Sequence, residues 1–198
     1  MKSEGYFYYV MELGDARVPG WENNPASYQP KDLECLRKQS PGGRLPADEC
    51  LRILTILADA LDFLHQQGLI HRDIKPSNVV FVSNRPKLAD IGLVADIQPA
   101  DRVNTLVGTP GYMPPLPERP GTVQADIYAL GMVLYVISTG KMPAFFPEIS
   151  ATMMDRGAGK EGFIRLDPII LKACQPDLSQ RYPTTAAMLK DLRAASGK

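Results

Sequence analysis

Residues 125–138 read ADIYALGMVLYVIS, a stretch that leaves no polar face on a helix. Such a helix is stable only when neighbours cover it all round. The rest of the 198-residue chain must therefore supply its shell, and that length suits one domain with a substantial core. The most apolar run, Ile127–Ile137, is far short of a membrane span. The N-terminal MKSEGYFYYV has no long apolar run followed by a small-residue cleavage site, so no signal peptide is expected. The expectation is a soluble, cytoplasmic chain with no membrane partner.

Candidates for the shell are readable by period. Leu51, Leu54, Leu57, Ala58, Leu61 and Leu64 recur at helical spacing, with Gly68 placed as a stop. A short helix is expected at 32–39, weaker ones near 145–154 and 166–174, and a last one at 184–195. YFYYVMEL (6–13) is aromatic and β-rich and predicts a strand ending at Gly14-Asp15. Breakers including Pro19, Gly20, Pro25 and Pro30 make 16–31 a loop. LIHRDIKPSNVVFV predicts a short strand, a polar loop and a second strand at 79–82. A further strand in RPKLADIGL follows a turn at Asn84-Arg85-Pro86. Short strands followed by helices make the fold class α+β, mostly helical. Val94–Gly121 is polar and rich in Pro and Gly with no period, and so long a structureless segment within a domain is usually functional.

Lys plus Arg and Asp plus Glu both number 22, so the formal net charge is zero. That removes any general electrostatic reason to expect a nucleic-acid partner. Cys35, Cys50 and Cys174 are odd in number, widely spaced and form no C-x-x-C pair, which predicts reduced core thiols. Only His65 and His71 could join them, so zinc is not expected.

Chemistry-bearing residues concentrate in HRDIKPSN (71–78). Phosphoryl transfer asks a protein for a carboxylate to orient the attacking hydroxyl, a cation on the moving group and oxygen ligands for magnesium. Asp73 is the candidate base, Lys75 the cation and Asn78 a magnesium ligand. Asp90 in LADIGL is placed to be a second metal ligand.

The chain resembles the eukaryotic-type (Hanks-type) protein kinase superfamily, most closely its bacterial Ser/Thr members. HRDIKPSN matches the catalytic loop, and DIG (90–92) stands at the family's Asp-Phe-Gly. GTPGYMPP (108–115) resembles the end of the activation segment, and DIYALG (126–131) the start of the central helix. Arg181 in LSQRYP stands where the family has a late arginine. The resemblance implies ATP and Mg2+ as cofactors and protein Ser/Thr hydroxyls as substrate. It implies Met11 as gatekeeper, hinge backbone groups at Glu12 and Gly14, and Val80 as the floor under adenine. His71 would be structural, beside Ile91. Thr109 would bond Asp73 and Lys75, Asp126 would brace the catalytic loop, and Arg72 would receive a phosphorylated Thr105.

Three departures qualify the resemblance. Ile91 replaces phenylalanine. In MPPLPE the family's glutamate would fall at Leu116, whereas counting back from Asp126 puts it at Glu118, as the partner of Arg181. No G-x-G-x-x-G stands ahead of the expected hinge strand, and there is no room before Tyr6 for a phosphate-covering loop, a strand lysine or a helix glutamate. The expected division is therefore 1–15 as last small-lobe strand and hinge, and 16–198 as a kinase C-terminal lobe with activation segment 90–118. The small lobe would be largely absent, leaving a face for that lobe or for self-association. The competing expectation is a non-catalytic, kinase-derived module that binds a protein partner.

Overall fold

The computed structural model describes residues 11–90, 95–96, 108–118, 121–149 and 158–197. Among them lie helices α1 (Leu33–Gln39), α2 (Ala47–Gln66), α3 (Val123–Thr139), α4 (Ala158–Ala173) and α5 (Thr185–Ala195). The short strands are β1 (Leu69–Ile70), β2 (Val79–Val82), β3 (Arg85–Leu88) and β4 (Ala95–Asp96). The fold is α+β and mostly helical.

Helix α3 is the axis, and every residue from Ala125 to Thr139 is buried. Both its ends are chemically specified. The Thr122 side chain accepts from Ala125 N–H at the start, and Gly140, in the left-handed region at φ 74°, closes the end onto Val136. Helices α2, α4 and α5 supply the shell, joined with α3 in one hydrophobic core. Helix α2 buries the stripe that its sequence announced, including Leu51, Leu54, Leu57, Ala58 and Leu61. Where α3 meets α4, a Cβ on Gly131 would lie 2.5 Å from the Ala173 Cβ, so the two backbones approach closely because position 131 has no side chain. No described helix is long and apolar enough to cross a membrane.

β1 pairs antiparallel with β4, and β2 with β3. The β2–β3 turn is Ser83-Asn84, both left-handed at φ 50° and 60°, as a two-residue hairpin of matching twist requires. It therefore falls one residue earlier than expected, and Arg85 and Pro86 belong to β3. Pro86 faces Phe81, whose own N–H and C=O point away from the ladder to Lys31 and Asp15. At such a position the missing proline N–H costs the sheet nothing.

Three other expectations need correction. Of the helix at 145–154, Pro143–Phe145 is a 3-10 turn and 146–149 are non-helical, while the remainder lies outside the described residues. Pro147 explains this, because proline restricts the residue before it and donates no helical bond. Helix α4 begins at Ala158, well before 166, and runs through Pro168. Its buried face of Phe163, Leu166, Ile169 and Ile170 outweighs the local breaker. Of the strand at 6–13, residues 6–10 lie outside the described set, and Met11–Leu13 pair with no strand there.

Candidate active site

The loop after β1 is held from beneath by a buried carboxylate. Asp126, at the start of α3, accepts from the backbone N–H of His71 at 2.8 Å and of Arg72 at 2.9 Å. It also meets His65 Nε2 at 2.9 Å, while His65 Nδ1 meets the Thr185 hydroxyl at 2.8 Å. A carboxylate only accepts, so Nε2 carries the hydrogen. Asp126 is 2% exposed, and these charge-assisted bonds compensate its burial. They join α2, α3 and α5 to the loop, where Arg72 takes a left-handed φ of 73°.

That support presents Asp73, 6% exposed, to three side-chain donors. Thr109 Oγ1 donates to Oδ1 at 2.6 Å, and Lys75 Nζ and Asn78 Nδ2 donate to Oδ2 at 2.7 and 2.9 Å. Lys75 Nζ also reaches Thr109 Oγ1 at 2.8 Å, closing a triangle between the loop and the 108–118 segment. Burial pushes the Asp73 carboxyl up, but hydrogen bonds from Lys75 and Thr109 and the Lys75 charge outweigh it, leaving the pKa below the ordinary value. The group stays ionised at neutral pH, as a base must.

Asn78 also donates to the Asp73 backbone carbonyl at 2.9 Å. With its NH2 committed to two acceptors, its Oδ1 is the end left for a cation. Ala89 N–H bonds the Asn78 carbonyl at 2.8 Å, which ties the end of β3, and exposed Asp90 after it, beside Asn78. Asp90 is held left-handed at φ 61°. Among the described residues no three His, Cys, Asp or Glu side chains form a complete cage. A magnesium–nucleotide site does not need one, since the ion keeps waters and takes phosphate oxygens. These donors fit that group.

His71 is 1% exposed, and burial drives its pKa down against the opposing charges of Asp126, Asp73 and Asp90. Val80 is half-buried, pairs with Lys87 and bridges to Asp32. Met11 and Glu12 are exposed, and Glu12 pairs with Lys87. Asp15 follows Gly14 and is fixed to the same hairpin, its carboxylate accepting from Ser83 and Asn84 N–H at 2.7 Å each. Three backbone bonds form a ring there: Asp15 N–H to Phe81 O at 2.6 Å, Phe81 N–H to Lys31 O at 3.0 Å and Lys31 N–H to Asp15 O at 2.7 Å. Arg181 and Glu118 lie together. Thr105 and Ile91 lie outside the described residues.

Sequence reasoning passed over His65 and Asp15 as site supports. The signal for His65 was its place on the apolar stripe of α2, four residues after Leu61, where a polar side chain needs a buried partner. Nothing local marked Asp15, because its partners lie 68 and 69 residues away.

Comparison with known proteins agrees with this geometry. The chain is 33% identical over 172 residues to the serine/threonine-protein kinase PknB of Mycobacterium leprae, covering 79% of this chain and 28% of that protein. It is 32% identical over 168 residues to the probable serine/threonine-protein kinase PknB of Lactococcus lactis, covering 77% and 26%. It is 33% identical over 169 residues to the 3-phosphoinositide-dependent protein kinase 1 of Arabidopsis thaliana, covering 63% and 34%. The chain thus spans about a quarter to a third of the length of these relatives. The protein kinase domain family matches residues 28–187, which include the whole Asp73 cluster and the Asp126 carboxylate beneath the loop, and the chain belongs to that family, in its bacterial-like Hanks-type branch.

Proposed function

We propose that this chain is the C-terminal lobe of a protein serine/threonine kinase, with 11–15 as its hinge. The observation that carries this reading is the Asp73 cluster: a nearly buried carboxylate kept ionised by Lys75, Thr109 and Asn78. A binding module has no use for a base so prepared. Asp73 orients the acceptor Ser or Thr hydroxyl and takes its proton. Lys75 places positive charge where the transferred group passes, and Thr109 fixes both side chains against the acceptor's approach. Asn78 and Asp90 would hold Mg2+, and Val80, Met11, Glu12 and Gly14 would bound the adenine. Magnesium-ATP supplies the phosphoryl group and the charge that offsets its negative oxygens. Arg72 would pair with a phosphorylated Thr105. A cytoplasmic setting, with nucleotide present and thiols reduced, suits these roles.

Positioning by well-oriented groups contributes on the order of 7–11 kcal/mol. We therefore expect the 198 residues alone to transfer negligible phosphate, and a small lobe supplied with them to restore transfer. Exposed Met11 and Leu13, at 54% and 58%, are the face where that lobe or a second copy would sit. Labelled ATP and a Ser/Thr peptide test the reading. Transfer that needs the small lobe and disappears in Asp73→Asn supports it, and a complete protein that neither binds nucleotide nor transfers phosphate overturns it.

A further inference from the structure

His65 lies in the last turn of α2 with its side chain 6% exposed, and both of its ring nitrogens are engaged. Nε2 donates to Asp126 Oδ2 at 2.9 Å. In the neutral ring Nδ1 is then bare, so it accepts, and the Thr185 hydroxyl donates to it at 2.8 Å. Thr185 is the first residue of α5, is 1% exposed and stands 120 residues further along the chain than His65.

An imidazole held at one nitrogen can turn over about its Cβ–Cγ bond, a soft torsion, and the turn swaps each nitrogen for a carbon. With both nitrogens bonded, that turn breaks two hydrogen bonds instead of one. Thr185 thereby helps to keep Nε2 aimed at Asp126. That carboxylate carries two further donors, with His71 N–H on Oδ2 at 2.8 Å and Arg72 N–H on Oδ1 at 2.9 Å. Arg72, at φ 73°, occupies the left-handed region that costs any residue with a Cβ, so its conformation depends on the bonds that fasten it. Asp73 is the next residue, and that backbone sets the direction of its carboxylate.

We infer that Thr185 is a positioning residue for phosphoryl transfer, acting through His65 and Asp126 on the backbone that aims Asp73. This rests on the kinase reading given above. The effect on turnover is bounded by the worth of one neutral hydrogen bond, roughly three- to tenfold. Thr184 supplies the control, because its side chain caps α5 itself by accepting from Ala187 N–H at 3.2 Å. Thr184→Ala weakens the same helix without removing a bond of the relay.

Thr185→Val and Thr185→Ala, which both lack the hydroxyl, are compared with Thr185→Ser and Thr184→Ala. The 198-residue chain is followed by imidazole nitrogen NMR and amide hydrogen exchange, and the kinase completed by a small lobe by initial rates. Loss of the hydroxyl should move the His65 Nδ1 resonance towards that of an unbonded nitrogen and speed exchange at the His71 and Arg72 amides. It should lower kcat roughly three- to tenfold, with KM for magnesium-ATP little changed. Thr185→Ser should restore all of these. Thr184→Ala should lower the urea midpoint while the loop amides and kcat stay near wild type. Hydroxyl-free variants whose loop amides or kcat match wild type overturn the inference and leave the kinase reading standing. So does a Thr184→Ala variant that reproduces their losses. A wild-type kinase that transfers no phosphate even with its small lobe overturns both.

Discussion

Arg181 and Glu118, 63 residues apart in sequence, meet in a two-point ion pair, with Nη1–Oε1 and Nη2–Oε2 both 2.8 Å. The Arg181 side chain is 0% exposed and also donates to the carbonyls of Gln124 and Gln175. It thereby ties the 108–118 segment to the start of α3 and to the α4–α5 connection. Removing the cation leaves Glu118 and two carbonyls without their donor. Arg181→Ala should cost about 3–5 kcal/mol in urea unfolding, as for one-sided loss of a buried pair. A cost below about 1 kcal/mol would show the pair to be solvent-screened.

Asp73 and Asp90 should separate in their effects. In the kinase completed by a small lobe, Asp90→Ala should weaken magnesium-ATP binding and turnover together. Asp73→Asn should keep near-normal nucleotide binding while turnover falls roughly 10²-fold or more. Calorimetric titration beside initial rates measures both. Equal loss of nucleotide affinity in the two variants would contradict the separate roles.

His71 gives the fold an acid-sensitive component. Burial lowers its folded pKa beneath the unfolded value of 6.5, so the unfolded chain takes up its proton first as the pH falls. This contribution is fully present above about pH 6.5 and is progressively lost below it, towards the folded pKa. His71→Phe should flatten the stability curve below about pH 6.5, as read by urea midpoints. Unchanged slopes would assign the acid sensitivity to carboxylates instead.

Gly131 should resist any side chain. Alanine usually gains about 1 kcal/mol over glycine in a helix. Here its Cβ would meet the Ala173 Cβ at 2.5 Å and the Cys174 Sγ at 3.0 Å. Gly131→Ala should therefore destabilise by about 1–3 kcal/mol, and Ala173→Gly in the same chain should recover part of that. Denaturant titration of the four variants in the cycle decides it.

Thiol reactivity should divide by burial. Cys50 and Cys174 are buried, which pushes both thiols up to about 12, whereas Cys35 is half-exposed. Iodoacetamide on the folded chain should label Cys35 and spare the other two until denaturant is added.

What could be read from the sequence was whatever rests on local spacing. The all-round apolarity of 125–138 announced α3, the leucine stripe announced α2, and HRDIKPSN brought three of the four Asp73-cluster residues together on one loop. Where the sequence reading failed, non-local packing decided. Residues 166–174 announced only the second half of α4, and burial of Phe163 and Leu166 goes with a helix that starts at Ala158 and runs through Pro168. The Ser83-Asn84 turn was misplaced by one residue because Pro86 was taken for a turn former, when its register opposite Phe81 makes it a tolerable strand residue. His65 and Thr185 act through partners 61 and 120 residues away, pairings that no period in the chain encodes.

The backbone ring of Asp15, Phe81 and Lys31 has a mechanical consequence. Because that ring and the Asp15 carboxylate fasten the chain to the β2–β3 hairpin, everything from Asp15 onward is one piece with the floor. Any part carried on the N-terminal side can swing only about bonds that precede Asp15, with no slack further down. The fixed piece thus begins at Asp15, beside the Val80 edge that the proposed hinge reading gives to the base. There a small rotation works as a short lever, so opening and closing would change the gap above Val80 while Asp73, Asn78 and Asp90 keep their mutual distances.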